Sequence, residues 1–113
     1  MSIVTRPWGN FRVIETHDLF QIKLLTVNPN CRLSLQSHEF RAEHWFVVQG
    51  NARVEVDHKI IELLPSESVQ IPIKSRHRVT ALGETPLIFI EIQTGVSFDE
   101  NDIIRFEDDY GRN

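Results

Sequence analysis

From Phe11 onward, apolar and polar positions alternate in short runs, and no window keeps the three-to-four-residue spacing of an amphipathic helix. The runs are Phe11 to Glu15, Phe20 to Val27, Leu33 to Leu35, His44 to Val48, Ala52 to Val56, Lys59 to Leu64, Ser68 to Ile71, His77 to Ala81 and Pro86 to Gln93. Between them lie Asn28-Pro29-Asn30, Gln49-Gly50-Asn51, Asp57-His58, Pro65-Ser66, Lys74-Ser75 and Leu82-Gly83-Glu84, all with turn chemistry. Many short strands at this spacing predict an all-β sandwich or barrel. The tail from Phe98 to Asn113 breaks the pattern, being acidic with a small apolar set of Ile103, Ile104 and Phe106. A short C-terminal helix or an extended arm across the barrel would suit it. With no internal repeat, low-complexity tract or linker, residues 1–113 are expected to form one domain.

Alternation also sorts the side chains by face. In PLIFIEIQTG it puts Leu87, Phe89, Glu91 and Gln93 on one side and Ile88, Ile90 and Ile92 on the other. Taking the isoleucine face as core sends Glu91 and Gln93 toward a cavity or solvent. The same rule separates Gln21 and Lys23 from Ile22 and Leu24. A β-barrel of this size can fill its interior or hold one small ligand there.

The segment LSLQSHEFRAEHWFVVQG, Leu33 to Gly50, decides between these options because it concentrates metal-ligating chemistry. Gln36 and His38 share a strand face. Glu43 lies between Ala42 and the apolar run that starts at His44-Trp45, where a buried carboxylate needs a metal or a cation. His77 follows downstream in IPIKSRHRV. Gln36, His38, Glu43 and His77 make a ligand set of two nitrogens and two oxygens, suited to a divalent transition metal with positions left open for substrate. Zinc is the first expectation, with manganese, iron, cobalt and nickel also suited and copper(I) not. His44 alternates away from Glu43 and reads as structural or as part of an interface, while His17 and His58 sit in polar turns. Arg41 is two residues from Glu43, so it either shares the inner face or makes a surface salt bridge. Trp8 and Trp45 read as core, and Cys31 as a small buried hydrophobe.

Composition narrows the function classes. With 41% hydrophobic and 25% charged residues the chain is ordinary for a globular protein. Its net charge of −4 argues against nucleic acid as the partner, because phosphate backbones reward clustered Lys and Arg. One cysteine permits no intrachain disulfide, which suits a reducing compartment. The start MSIVTRPWGN has no signal pattern and the longest apolar runs are too short for a bilayer, so a cytoplasmic setting away from membranes is expected.

The spacing of LSLQSHEFRAEHWFVVQG and IPIKSRHRV resembles the two motifs of the cupin superfamily, antiparallel jelly-roll β-barrels with a metal inside. Asn30, Ser66 and Lys74 stand where cupin motifs have glycine, and Gln36 stands where the first motif has its first His. RPWG at Arg6 to Gly9, LSLQSH, RAEHW, EIQTG and NDIIRFEDDYGR extend the likeness over nearly the whole chain. Together they resemble the type II mannose-6-phosphate isomerase family, whose cupin usually forms the C-terminal part of bifunctional mannose-1-phosphate guanylyltransferase/isomerases. The residues given carry no glycine-rich nucleotide-binding segment, so guanylyltransferase activity is not expected of them.

The resemblance implies that Gln36, His38, Glu43 and His77 bind metal, and that Arg105 and Arg112, otherwise unremarkable arginines of an acidic tail, hold the phosphate of a sugar phosphate. Lys23 adds a further cation. The implied activity is interconversion of mannose 6-phosphate and fructose 6-phosphate. Glu91, Lys23 and His44 are positional candidates for its general base. Ala81 departs from the family's usual Asn, which keeps open a competing class, a cupin that binds metal and sugar phosphate without turnover, and a third, another metal-cupin enzyme. An open sheet edge further predicts a homodimer.

Overall fold

The computed structural model describes residues 2–112. Its elements are β1 (Ile3–Arg6), β2 (Gly9–Thr16), β3 (Phe20–Val27), β4 (Leu35–Ser37), β5 (Arg41–Gln49), β6 (Asn51–Val56), β7 (Lys59–Leu63), β8 (Ser68–Ile71), β9 (His77–Leu82), β10 (Leu87–Gly95) and β11 (Ile104–Glu107). Two antiparallel sheets face each other, ordered β1-β2-β3-β10-β5-β8 and β11-β4-β9-β6-β7. Among the described residues there is no helix, and so none long and apolar enough to cross a membrane. This is the jelly-roll arrangement expected from the strand pattern, as a pair of sheets rather than one hydrogen-bonded ring.

The pattern missed both end strands. β1 is four residues long and stops at Pro7, too short to display an alternation. β11 arises in the acidic tail, which is an extended arm and not a helix: Arg105 pairs with Gln36 across to β4. β5 begins three residues before the run that signalled it, since Arg41 and Glu43 read as polar but point inward.

Of the two faces of β10, the isoleucine one is not the core. Leu87, Phe89, Glu91 and Gln93 are the buried face, whereas Ile92 is 37% exposed on the outside. The reason is cooperative. Register aligns Leu87 with Val27, Phe89 with Leu25 and Val47, Glu91 with Lys23 and Trp45, and Gln93 with Gln21 and Glu43. The interior therefore changes character along the strands. One end is packed by Val27, Val47, Val54, Val79, Leu87 and Phe89, where burial supplies the driving force. The other end gathers the polar inner residues, which fail to fill it and leave a cavity.

Candidate metal centre and its cavity

The cavity has a volume of about 240 Å³, and its lining includes Gln36, Glu43, His77, Lys23, Glu91 and Arg105. Beside it, ligand atoms of His38, Glu43 and His77 lie within 4.8 Å of one another. His38 Nε2 is 3.3 Å from one Glu43 oxygen, and His77 Nε2 is 3.8 Å from the other. Each imidazole is turned this way by a backbone carbonyl: the Nδ1 of His38 sits 2.7 Å from the Asp102 carbonyl, and that of His77 2.9 Å from the Ser75 carbonyl. A carbonyl can only accept, so Nδ1 carries the hydrogen in both rings and Nε2 keeps its lone pair. Burial, aided by Arg41 and His77, pushes His38 down to about 4, and burial pushes His77 down as well. Both rings are therefore neutral at pH 7, the form that binds metal.

Gln36, predicted as the fourth ligand, pairs directly with His77 across β4 and β9. Its Nε2 donates to Ser34 Oγ at 3.0 Å, which leaves the amide oxygen as its free ligand atom. Of the two readings of Arg41, the inner-face one is correct. Its Nε donates to Glu43 at 2.9 Å, and its Nη2 lies 3.4 Å from His38 Nε2. Two neutral imidazoles aimed at one buried carboxylate, with an amide oxygen alongside, fit a divalent metal.

Glu91 and Lys23 pair across β10 and β3 and both line the cavity. Trp45 Nε1 donates to Glu43 and to Glu91, each at 3.0 Å, tying the two carboxyls together. Burial first, then the Glu43 charge, raises Glu91 to about 7. Lys23 forms an ion pair with Glu100 of the tail and lies 4.4 Å from the Phe11 ring centroid. His44, the remaining candidate base, is excluded, because its neighbours Glu43 and Trp45 point inward and it faces out on β5. Arg105 and Arg112 both line the cavity. Trp8 and Trp45 are buried as expected, yet they line it too. Cys31 is only half-buried, packed at the edge of the core. His17 and His58 are exposed.

Sequence reasoning did not give the contacts of three contributors. Asp102 accepts from the backbone N–H of Glu39 at 2.9 Å and of Phe40 at 3.0 Å, clamping the loop after His38. Gln21 donates to Gln93 at 3.0 Å and Gln93 to Glu91 at 2.7 Å, a buried amide relay that orients the Glu91 carboxyl. The signal for the relay was present, since Gln21 and Gln93 alternate in phase with Lys23 and Glu91. The contact of Asp102 had none, as it spans 63 residues of chain.

The family model described as mannose-6-phosphate isomerase C-terminal matches residues 1–108. The chain belongs to that family. The alginate biosynthesis protein AlgA of Pseudomonas aeruginosa is 49% identical over 96% of this chain, which covers 23% of that relative. The xanthan biosynthesis protein XanB of Xanthomonas campestris is 46% identical over 96% of the chain, again 23% of the relative. Mannose-1-phosphate guanylyltransferase ManC of Salmonella typhimurium is 43% identical, with the same coverage of each. The chain thus spans about a quarter of the length of these family relatives. Among solved structures, KdgF from Halomonas superposes with a TM-score of 0.80 at 18% identity, covering 88% of this chain and 90% of that one. Oxalate decarboxylase OxdC of Bacillus subtilis superposes at 0.84 and 18% identity, over 93% of this chain and 30% of that one. At these identities the likeness speaks for the fold, and it agrees with the cupin assignment.

Proposed function

We propose that this chain is a metal-dependent aldose–ketose isomerase that interconverts mannose 6-phosphate and fructose 6-phosphate in the cytoplasm. One observation carries the reading: in a member of the mannose-6-phosphate isomerase C-terminal family, a single cavity is lined by Glu43 and His77 of the ligand cluster and also by Glu91, Lys23, Arg105 and Arg112. Gln36, His38, Glu43 and His77 would hold the metal, with zinc the first expectation and manganese, iron, cobalt or nickel also suited. When bound it supplies Lewis acidity toward the C1 and C2 oxygens of the sugar.

The remaining work falls to the protein. Glu91 accepts the proton from C2 and returns it to C1; a carboxyl near pH 7 exists in both forms at working pH, as a group that takes and gives one proton requires. Trp45 and Gln93 donate to its two oxygens and keep its plane aimed into the cavity. Lys23, opposite Glu91, stabilises negative charge that develops on the sugar oxygens. Arg105, with Arg112 beside it, marks the phosphate end of the cavity.

A second reading, binding of metal and sugar phosphate without turnover, is favoured by one contact. The Arg41 guanidinium already neutralises Glu43 and touches His38 Nε2, the atoms a metal would use. The experiment that separates the two loads the protein with each divalent metal and assays mannose 6-phosphate in heavy water. The isomerase reading expects fructose 6-phosphate, solvent deuterium at C2, loss of both with a chelator, and no bound metal in the His38→Ala/His77→Ala double variant. Metal-loaded protein that binds mannose 6-phosphate with neither turnover nor exchange would establish the second reading instead.

A further inference from the structure

The two ends of the chain meet at the cavity. β1 is the edge strand of one sheet and β11 the edge strand of the other. Arg6, the last residue of β1, lines the same cavity as Arg105 of β11 and Arg112 beyond it. The cations around that wall fall into two kinds. Arg41 is paired with Glu43, Lys23 with Glu100 and Arg78 with Glu107. Arg112 is held by both oxygens of Asp108, at 2.8 and 3.1 Å. Among the described residues, Arg6 and Arg105 have no carboxylate partner.

Their surroundings sharpen the contrast. Arg6 makes a hydrogen bond through Nη1 to the Thr5 carbonyl and lies 5.3 Å from the Phe11 ring centroid. The opposite cation, Lys23, lies against the same ring. The Nε of Arg105 is buried and has no hydrogen-bond partner. Burial and the neighbouring charges of Arg112 and Arg6 hold the Arg105 guanidinium below its ordinary range against the opposing pull of Asp108. A buried guanidinium N–H left unpaired, beside a second unneutralised guanidinium, is unfavourable in the free protein and becomes favourable once an anion fills the gap. Two forks call for oxygens on two sides of one group. A phosphate monoester dianion presents three terminal oxygens and two charges, whereas a sugar hydroxyl carries no charge and a carboxylate offers one face to one fork.

We infer that Arg6 and Arg105 form a two-guanidinium site for the dianionic phosphate of a sugar phosphate, with Arg6 the residue that selects phosphorylated over neutral sugar. Arg112, already neutralised by Asp108, braces the tail beside them. This rests on reading the cavity as a sugar-phosphate site and changes which arginines carry the anion. Neither the family motifs around the metal nor the pairing of Arg112 requires Arg6 to take part.

Calorimetry on the metal-loaded full chain tests it, with mannose 6-phosphate, inorganic phosphate and mannose titrated separately at about pH 7.5, where a phosphate monoester is a dianion. Arg6→Gln should weaken mannose 6-phosphate and inorganic phosphate by about tenfold or more and leave metal content unchanged. Arg6→Lys should fall between, and Arg12→Gln, an exposed neighbour on β2, should match the wild type. Should Arg6→Gln misfold, Arg6→Lys decides in its place: keeping the charge and losing the fork, it should weaken mannose 6-phosphate at least about threefold and leave mannose unchanged. Mannose 6-phosphate affinity within about twofold of wild type in the folded Arg6 variant overturns the inference. Binding that depends on Arg6 without turnover would sink the isomerase reading and leave this site standing. Turnover with an unchanged KM in Arg6→Gln would do the reverse.

Discussion

At the scale of single residues, the three positions where cupin motifs carry glycine show what the substitutions left in place. Asn30, Ser66 and Lys74 have φ of 63°, 74° and 69°, the left-handed region that glycine enters freely. The backbone has kept the glycine conformation and tolerates the side chain. Relieving that strain gains about 1 kcal/mol, and the looser unfolded chain of a glycine variant gives back about as much. Ser66→Gly should therefore change stability by less than about 0.5 kcal/mol. Gly50 differs: its φ is 81°, and a Cβ there would sit 2.8 Å from the Pro86 carbonyl oxygen. Gly50→Ala should cost about 2 kcal/mol or more, read as a lower urea midpoint at unchanged slope.

At the scale of elements, the tail is held to the barrel by polar contacts as well as by apolar packing. Asp109 pairs with Arg32, Asp102 clamps residues 39 and 40, and Tyr110 packs against the core, while inside the tail Asp108 accepts from the Arg112 backbone and guanidinium. The hydrogen bond from Arg112 lowers the Asp108 carboxyl to about 2. A carboxyl whose folded value lies below its unfolded one binds fewer protons when folded. Its stabilisation is thus complete above about pH 3.8 and is lost as pH falls toward 2. Asp108→Asn should destabilise by about 1–2 kcal/mol at pH 7 and by much less near pH 2. Urea denaturation at the two pH values checks this; an equal cost at both would mean that the side chain acts by packing alone.

At the scale of the whole molecule, the outer face of β10 leaves an unpartnered surface. Ile22 and Leu24 of β3, Ile88, Ile90 and Ile92 of β10, and Phe46 of β5 are aligned across the outside of the six-stranded sheet. Ile92, Phe46 and Val48 are 37%, 40% and 47% exposed. Three strands by six residues is about 300 Å² of flat face, larger once corrugated, at the lower end of the size at which an apolar patch marks an interaction site. Two copies face to face bury about 600 Å² of flat area, which suits a weak interface. We propose that the expected homodimer uses this face rather than the open edge that first suggested it. Sedimentation should show a dimer of micromolar affinity, and Ile90→Asp should give a monomer with unchanged metal content; a monomeric wild type at about 100 μM would refute it.

Local chemistry determined a good deal unaided. Period-two alternation and turn residues define most of the strands because both act within a few bonds, and the His38, Glu43 and His77 cluster was legible because imidazole and carboxylate at strand spacing have few structural uses. Which face of β10 is inside was not legible. Leu, Phe and Ile are equally apolar, and the choice rests on Lys23, Glu91, Glu43, Gln21 and Gln93 satisfying one another across three strands. The same holds for Arg6 and Arg105, residues 99 positions apart in sequence, and for the Asp102 clamp. Contacts between chain ends depend on how the two sheets meet, and only the tertiary structure brings those edges to one cavity.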